Sequence, residues 1–95
     1  MKKFVLVTVG FTQPTPDIMN SWHKWFNSIE DKIEEQVGFR NGKEVTKNRV
    51  SELAMDKDAL TGYLVINAES IDEAIKIAQD CPMITSTNVY EVMKH

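Results

Sequence analysis

The sequence predicts an α+β fold, with an antiparallel sheet and two helices on one of its faces. Three observations support this prediction. Strand-like and helix-like stretches follow each other in the order β-α-β-β-α-β. Two sets of capping residues mark helix starts. The length of 95 residues suits a single domain covering residues 1–95. This element order is that of the ferredoxin-like, or split βαβ, plan.

The first strand and the first helix are predicted in the N-terminal part of the chain. Residues 4–9 are mostly β-branched or aromatic, which is typical of a strand. Thr15 suits an N-cap, Pro16 the first helical position and Asp17 the positive end of the helix dipole. The apolar residues that follow recur at intervals of three and four and predict one helix that ends at Gly38. These residues are Ile18, Trp22, Trp25, Phe26, Ile29, Ile33 and Val37.

The middle of the chain predicts a turn and a polar strand. The Asn41-Gly42 dipeptide is a turn signal, and residues 44–50 are expected to form the second strand. Residues 53–59 fit either a loop or a helical turn. The positive charges between Arg40 and Arg49 suit an exposed strand edge, with a single anion contact as the alternative.

The C-terminal part predicts a strand, a helix and a last strand. Residues 62–67 form the first of these, and residues 88–93 the last. Ser70 and Glu73 form a capping box that opens the helix, and Pro82 ends it. The helix is expected to bury one face, which consists of Ile71, Ala74, Ile75 and Ala78.

The predicted strands are apolar on both faces, although the helices can cover only one. Phe4 and Leu6 alternate with Val5 and Val7, so apolar side chains point to both sides of the sheet. A second apolar face on so small a protein indicates an interaction surface. We therefore expect a homodimer, formed through the sheet face that the helices leave open.

Composition excludes several classes of protein. A net charge of −3 argues against binding to nucleic acid, and no stretch approaches the ~20 apolar residues that span a membrane. Cys81 is the only cysteine, so no intrachain disulfide or cysteine-built zinc site is available. No phosphate-binding loop, metal-ligand spacing or catalytic triad is present. We expect a cytoplasmic protein without a cofactor or metal.

Residues 60–82 carry a resemblance to a known family. A Gly-aromatic strand, a short acidic turn, the "DEA" that opens a helix and the Cys-Pro that ends it resemble the YCII-related proteins, in the branch named for a DGPF motif. The segments "SWHKWF" and "VYEVMK" are similar too, whereas "VSEL" stands where the DGPF motif would fall. The resemblance implies a dimeric α/β barrel, largely of unassigned function, with a helix His and an Asp before the Pro as a proposed catalytic pair.

Candidate site residues follow from the resemblance and from side-chain chemistry. The resemblance assigns the catalytic His to His23, whereas Cys81 occupies the position before Pro82 and the nearest acid is Asp80. His23 also fits a half-buried surface residue. Cys81 lies at the negative end of a helix, where a thiolate is disfavoured, so an inert thiol is expected there.

Ligand contacts are predicted from the aromatic residues. Trp22 and Trp25 fit either core packing or the wall of a ligand cleft between the sheet and the first helix, and Tyr63 fits either a strand position or a hydroxyl contact. Three functions remain open: small-molecule binding with His-assisted proton transfer of the isomerase or lyase type, a dimeric structural or partner-binding module, and cofactor-free oxygenation. The last rests on fold analogy alone.

Overall fold

The computed structural model describes residues 1–93, which contain six strands and two helices. Lys94, the last residue of the "VYEVMK" segment, and His95 lie outside the described residues. The elements in chain order are β1 (Lys2–Val9), α1 (Pro16–Ser28), β2 (Ile33–Gly38), β3 (Lys43–Val45), β4 (Val50–Glu52), β5 (Leu60–Ala68), α2 (Ile71–Gln79) and β6 (Ser86–Glu91).

Four strands form the main sheet in the order β2-β5-β1-β6, and every neighbouring pair is antiparallel. This is the strand order of a ferredoxin-like fold, so the predicted fold class is confirmed. The inner strands β1 and β5 pair along almost their whole length, with Leu6 opposite Leu64. The predicted strand and helix of residues 60–82 therefore form an inner strand of the sheet and one of its two covering helices.

The core lies between the two helices and one face of the sheet. Phe4, Leu6 and Ile66 project from the inner strands and are fully buried. Both helices bury side chains in the same cluster, Trp25 from α1 and Ala74 from α2 among them, so both lie on this face. In residues 1–93, neither helix is long and apolar enough to cross a membrane.

The predicted caps start both helices. The Thr15 hydroxyl accepts a hydrogen bond from the Ile18 amide at 3.2 Å, and the Ser70 hydroxyl accepts one from the Glu73 amide at 3.2 Å. Each cap satisfies an amide that the first helical turn leaves without a backbone partner. Local chemistry was therefore sufficient to locate the helix starts.

The prediction that the first helix continues to Val37 is wrong. α1 ends at Ser28, a 3-10 turn spans Glu30–Lys32, and β2 follows at once. The spacing of Ile29, Ile33 and Val37 suits a helix, but Ile33 and Val37 instead lie on an edge strand paired with β5. Tertiary pairing overrides helix propensity here, as it does for many short segments.

The predicted second strand, residues 44–50, is also wrong. β3 and β4 form a separate two-stranded sheet, with Val45 opposite Val50 and Thr46 to Arg49 in the turn between them. The Asn41-Gly42 dipeptide precedes this hairpin, and Asn41 has a φ of 56°, the left-handed conformation that Asn tolerates in turns. Residues 53–59 form a loop.

Two smaller differences concern the C-terminal part. On α2, Ile77 is buried whereas Ile75 is 40% exposed, so the predicted buried face is rotated by part of a turn. Pairing of β6 with β1 extends from Ser86 to Glu91, two residues earlier at each end than predicted.

The sheet face away from the helices carries apolar side chains. Val5, Val7 and Val9 alternate with the buried residues of β1 and are half-buried on this opposite face. Val5 stands between Val65 of β5 and Tyr90 of β6. We call this surface the outward face.

Candidate functional site

A cavity of about 380 Å³ lies between α1 and the end of the sheet where β1, β2 and β5 meet. It occupies the region where the sequence predicts a ligand cleft. Most of its lining is apolar or aromatic, with a few polar side chains. The lining includes Thr8, Gly10, Thr12, Trp22, His23, Phe26, Gln36, Gly38, Thr61, Gly62 and Tyr63.

Glycines keep this end of the sheet open. Gly38 and Gly62 face each other across β2 and β5, and both line the cavity. A Cβ on Gly38 would have no atom within 4 Å, so a side chain there would enter free space. A Cβ on Gly62 would lie 2.5 Å from the Val37 carbonyl oxygen, so only glycine lets the two strands approach there.

Aromatic rings form the α1 side of the cavity. Trp22 and Phe26 are one turn apart, half-buried, and have ring centroids 5.7 Å apart. Trp25 packs against both rings but is only 4% exposed, lies outside the lining and belongs to the core. The two tryptophans that the sequence treats alike therefore have different roles: Trp22 faces the cavity and Trp25 the core.

His23 lines the cavity from an exposed position on α1. Within residues 1–93 its imidazole makes no hydrogen bond or ion pair with another side chain. Neutral imidazole offers one donor and one acceptor to a bound molecule. His23 is therefore available to a ligand, but no protein group fixes its tautomer.

Asp80 does not join His23. It is the exposed C-cap residue of α2, outside the cavity lining, and its side chain makes no hydrogen bond with another described residue. The neighbouring Cys81 is buried, which raises the pKa of its thiol to about 11, and the Thr87 hydroxyl lies 3.8 Å from its sulfur. A thiol with such a pKa is protonated at neutral pH and is a poor nucleophile.

Tyr63 reaches the cavity lining from a strand position on the outward side of β5. Its hydroxyl donates a hydrogen bond to the Glu35 carboxylate at 3.1 Å, and this bond raises the pKa of the phenol. The hydroxyl is thus engaged with Glu35 rather than with His23.

Polar residues of the cavity lining include Thr8, Thr61 and Gln36. Thr8 is 8% exposed, and its hydroxyl lies 2.8 Å from the Thr61 hydroxyl. No motif in the sequence singles out these residues. The signal for Thr8 was its place in the alternation after Phe4 and Leu6, which puts a polar side chain on the buried face.

A second hollow of about 830 Å³ lies between the β3–β4 hairpin and the start of β5. Among the described residues, its lining combines Phe39, Leu53 and Met55 with charged side chains and contains no His, Cys or Trp. Across residues 1–93, no group of three or more His, Cys, Asp or Glu side chains is arranged to hold a metal ion. Of the two, the first cavity is therefore the one whose lining combines several aromatic rings with a histidine.

Comparisons with known proteins agree with this architecture. The model of the YCII-related domain matches residues 23–94. Among solved structures, 5-chloro-2-hydroxyhydroquinone dehydrochlorinase (TftG) from Burkholderia phenoliruptrix AC1100, in complex with 2,5-dihydroxybenzoquinone, superposes with a TM-score of 0.64 at 19% sequence identity. The alignment covers 98% of this chain and 94% of that one, and at this identity it shows the shared fold alone. A search of curated protein sequences finds no match.

Proposed function

Because the chain belongs to the YCII-related domain family, we propose that it binds a small ring compound in the cavity beneath α1, where His23 exchanges a proton with the ligand. The observation that carries this proposal is the cavity itself. Its volume of about 380 Å³ is within the range of small-molecule sites. Its lining combines an aromatic wall with a few polar side chains, which is the usual composition of such sites.

The aromatic wall favours a planar ligand. Trp22 and Phe26 present ring faces and edges that pack against another ring in offset or edge-on geometry. The structural neighbour was solved with a hydroxylated quinone and is named for a chlorinated hydroxyhydroquinone. That similarity supports a six-membered ring with oxygen substituents as the kind of molecule to test first.

His23 is the group in this cavity suited to proton transfer near neutral pH. An imidazole nitrogen can accept a proton from an acidic ligand group and return it. The protein supplies no orienting partner for the ring among residues 1–93, and Asp80 lies outside the cavity lining. We therefore propose that the ligand itself fixes the imidazole tautomer, in an isomerisation or elimination.

A cavity-filling variant tests the binding proposal. Gly38→Leu adds four carbon atoms. Each has a volume of ~30 Å³, which is that of a water molecule, so together they fill roughly a third of the cavity. We expect hydroxylated benzenes to shift the indole NMR signal of Trp22 in the native protein and not in Gly38→Leu. The signal of Trp25, whose indole is bonded within the core, is the internal control. Unchanged binding in Gly38→Leu would contradict the proposal.

We also propose that the protein is a homodimer through the outward face. An apolar row on this face consists of Val5, Val7 and Val9, next to Val65 and Tyr90. Tyr90 is 61% exposed. The helices lie on the other face and cannot cover this row. A second copy related by a two-fold axis is the simplest cover for such a surface. If His23 has no chemical role, this dimer is the alternative functional unit, as a structural or partner-binding module.

A further inference from the structure

We propose that the hydroxyl pair of Thr8 and Thr61 selects the ligand by accepting a hydrogen bond from it. The cavity then takes ring compounds that carry a hydroxyl group in preference to those that carry only an ether at the same position. This inference rests on the proposed binding function and specifies the ligand class of the same cavity.

Thr8 occupies an unusual position for a polar side chain. It continues the inward row of β1 after Phe4 and Leu6, which are fully buried. Among residues 1–93 it is the one polar residue in the buried class, with 8% of its surface exposed. Both Thr8 and Thr61 line the cavity. A hydroxyl in this setting needs hydrogen-bond partners, because water reaches it poorly.

The protons of the two hydroxyls are already used within the protein. The two oxygens lie 2.8 Å apart. The Thr8 hydroxyl also lies 3.3 Å from the Gly62 carbonyl oxygen, and the Thr61 hydroxyl lies 3.3 Å from the Thr8 carbonyl oxygen. Carbonyl oxygens only accept. Two arrangements are therefore open. In the first, the Thr61 hydroxyl donates to the Thr8 hydroxyl, which donates to the Gly62 carbonyl. In the second, the Thr8 hydroxyl donates to the Thr61 hydroxyl, which donates to the Thr8 carbonyl.

Both arrangements leave the pair as an acceptor. Each hydroxyl has one proton and two lone pairs. One lone pair takes part in the bond between the hydroxyls, and the others remain open. A ligand hydroxyl can donate to them, whereas an ether oxygen would bring lone pairs against lone pairs. Gln36 and His23 each carry a donor and an acceptor, so they do not impose this selection.

Phenol and anisole are probes that differ in this donor. Binding of each is measured from the Trp22 indole NMR signal, in the native protein and in the double variant Thr8→Val/Thr61→Val, which removes both hydroxyls and retains branched side chains. The decisive quantity is the phenol-to-anisole affinity ratio of the native protein divided by that of the double variant. This quotient cancels the extra apolar surface of the anisole methyl group. One hydrogen bond predicts a quotient of about three to ten.

Two controls separate the outcomes. Thr46→Val removes a hydroxyl in the β3–β4 turn, outside the cavity lining, and it should leave the ratio of the native protein unchanged. Thr61→Val alone serves if the double variant does not fold, with a quotient above one expected. A quotient of one, with both probes still bound, would overturn the selection by Thr8 and Thr61 and leave the binding function standing. Binding of neither probe to the native protein would overturn both.

Discussion

Exchange of each tryptophan for phenylalanine distinguishes the role of Trp25 in the core from the role of Trp22 in the cavity wall. The Trp25 indole Nε1 donates to the Ile77 carbonyl at 3.1 Å, in a buried position. Ile77 lies in the last turn of α2, where carbonyl groups have no helical amide partner. Trp25 therefore caps one helix with a side chain from the other. Among residues 1–93, Trp22 has no partner for such a bond, and it is half-buried against the cavity.

The expected losses of stability differ accordingly. Trp25→Phe leaves the Ile77 carbonyl without its partner, which costs about 1–3 kcal/mol. The smaller ring buries less apolar surface, worth about 1 kcal/mol more. The sum, about 2–4 kcal/mol, is a large part of the 5–15 kcal/mol that holds a typical domain together. Trp22→Phe should cost less than about 1 kcal/mol, because its indole nitrogen has no hydrogen-bond partner to lose among residues 1–93.

Urea unfolding followed by tryptophan fluorescence measures both values, since each variant retains one tryptophan. Trp25→Phe should lower the midpoint with an unchanged slope, and should leave binding of phenol in the cavity intact. Trp22→Phe should show the reverse, with weakened binding and a nearly native midpoint. Equal losses of stability in the two variants, or a loss below about 0.5 kcal/mol in Trp25→Phe, would refute the assignment of Trp25 to the core.

Four further predictions concern other residues. The thiol of Cys81 has a pKa of about 11 in the folded chain and about 8.5 when unfolded. The contribution of Cys81 to the free energy of unfolding should therefore be constant below about pH 8.5 and fall by up to about 3 kcal/mol as the pH rises to 11, and Cys81→Ala should remove this contribution. His23→Gln should change the free energy of unfolding by less than about 0.5 kcal/mol, because the residue is exposed, while weakening the binding of a ligand that exchanges a proton with the imidazole; unchanged binding would count against its role. Val7→Lys should convert a dimer of the 10.9 kDa chain into a monomer, as measured by light scattering. Asn27→Lys on α1 is the control and should leave the dimer intact. A monomeric native protein would contradict the dimer proposal. Gly62→Ala should lower the free energy of unfolding by about 2 kcal/mol or more, since its Cβ would lie 2.5 Å from the Val37 carbonyl oxygen. Gly38→Ala should raise the free energy of unfolding by a few tenths of a kcal/mol. Similar stabilities of the two variants would show that β2 shifts to accept the Cβ.

The parts of the fold that the sequence predicted correctly depend on local chemistry. Thr15 and Ser70 locate the helix starts because a cap acts within one turn. The alternation in β1 and β5 gives the two faces of the sheet because side-chain direction has a period of two. The end of α1 was predicted wrongly because no glycine or proline lies between Ser28 and Ile33 to mark it. There the outcome depends on pairing with β5, a contact distant in sequence.

That error explains why much of the candidate site could not be predicted. Had α1 continued to Val37, Gln36 would have been a helical residue and Gly38 only a stop signal. Because the chain instead returns as β2, Gly38 lies opposite Gly62 and Gln36 opposite Leu64, and the space beneath α1 stays open. Trp22 could be selected from side-chain chemistry, and His23 from the family resemblance together with the chemistry of its imidazole. The glycines and Thr61 have a role only through strand register, which one sequence does not contain.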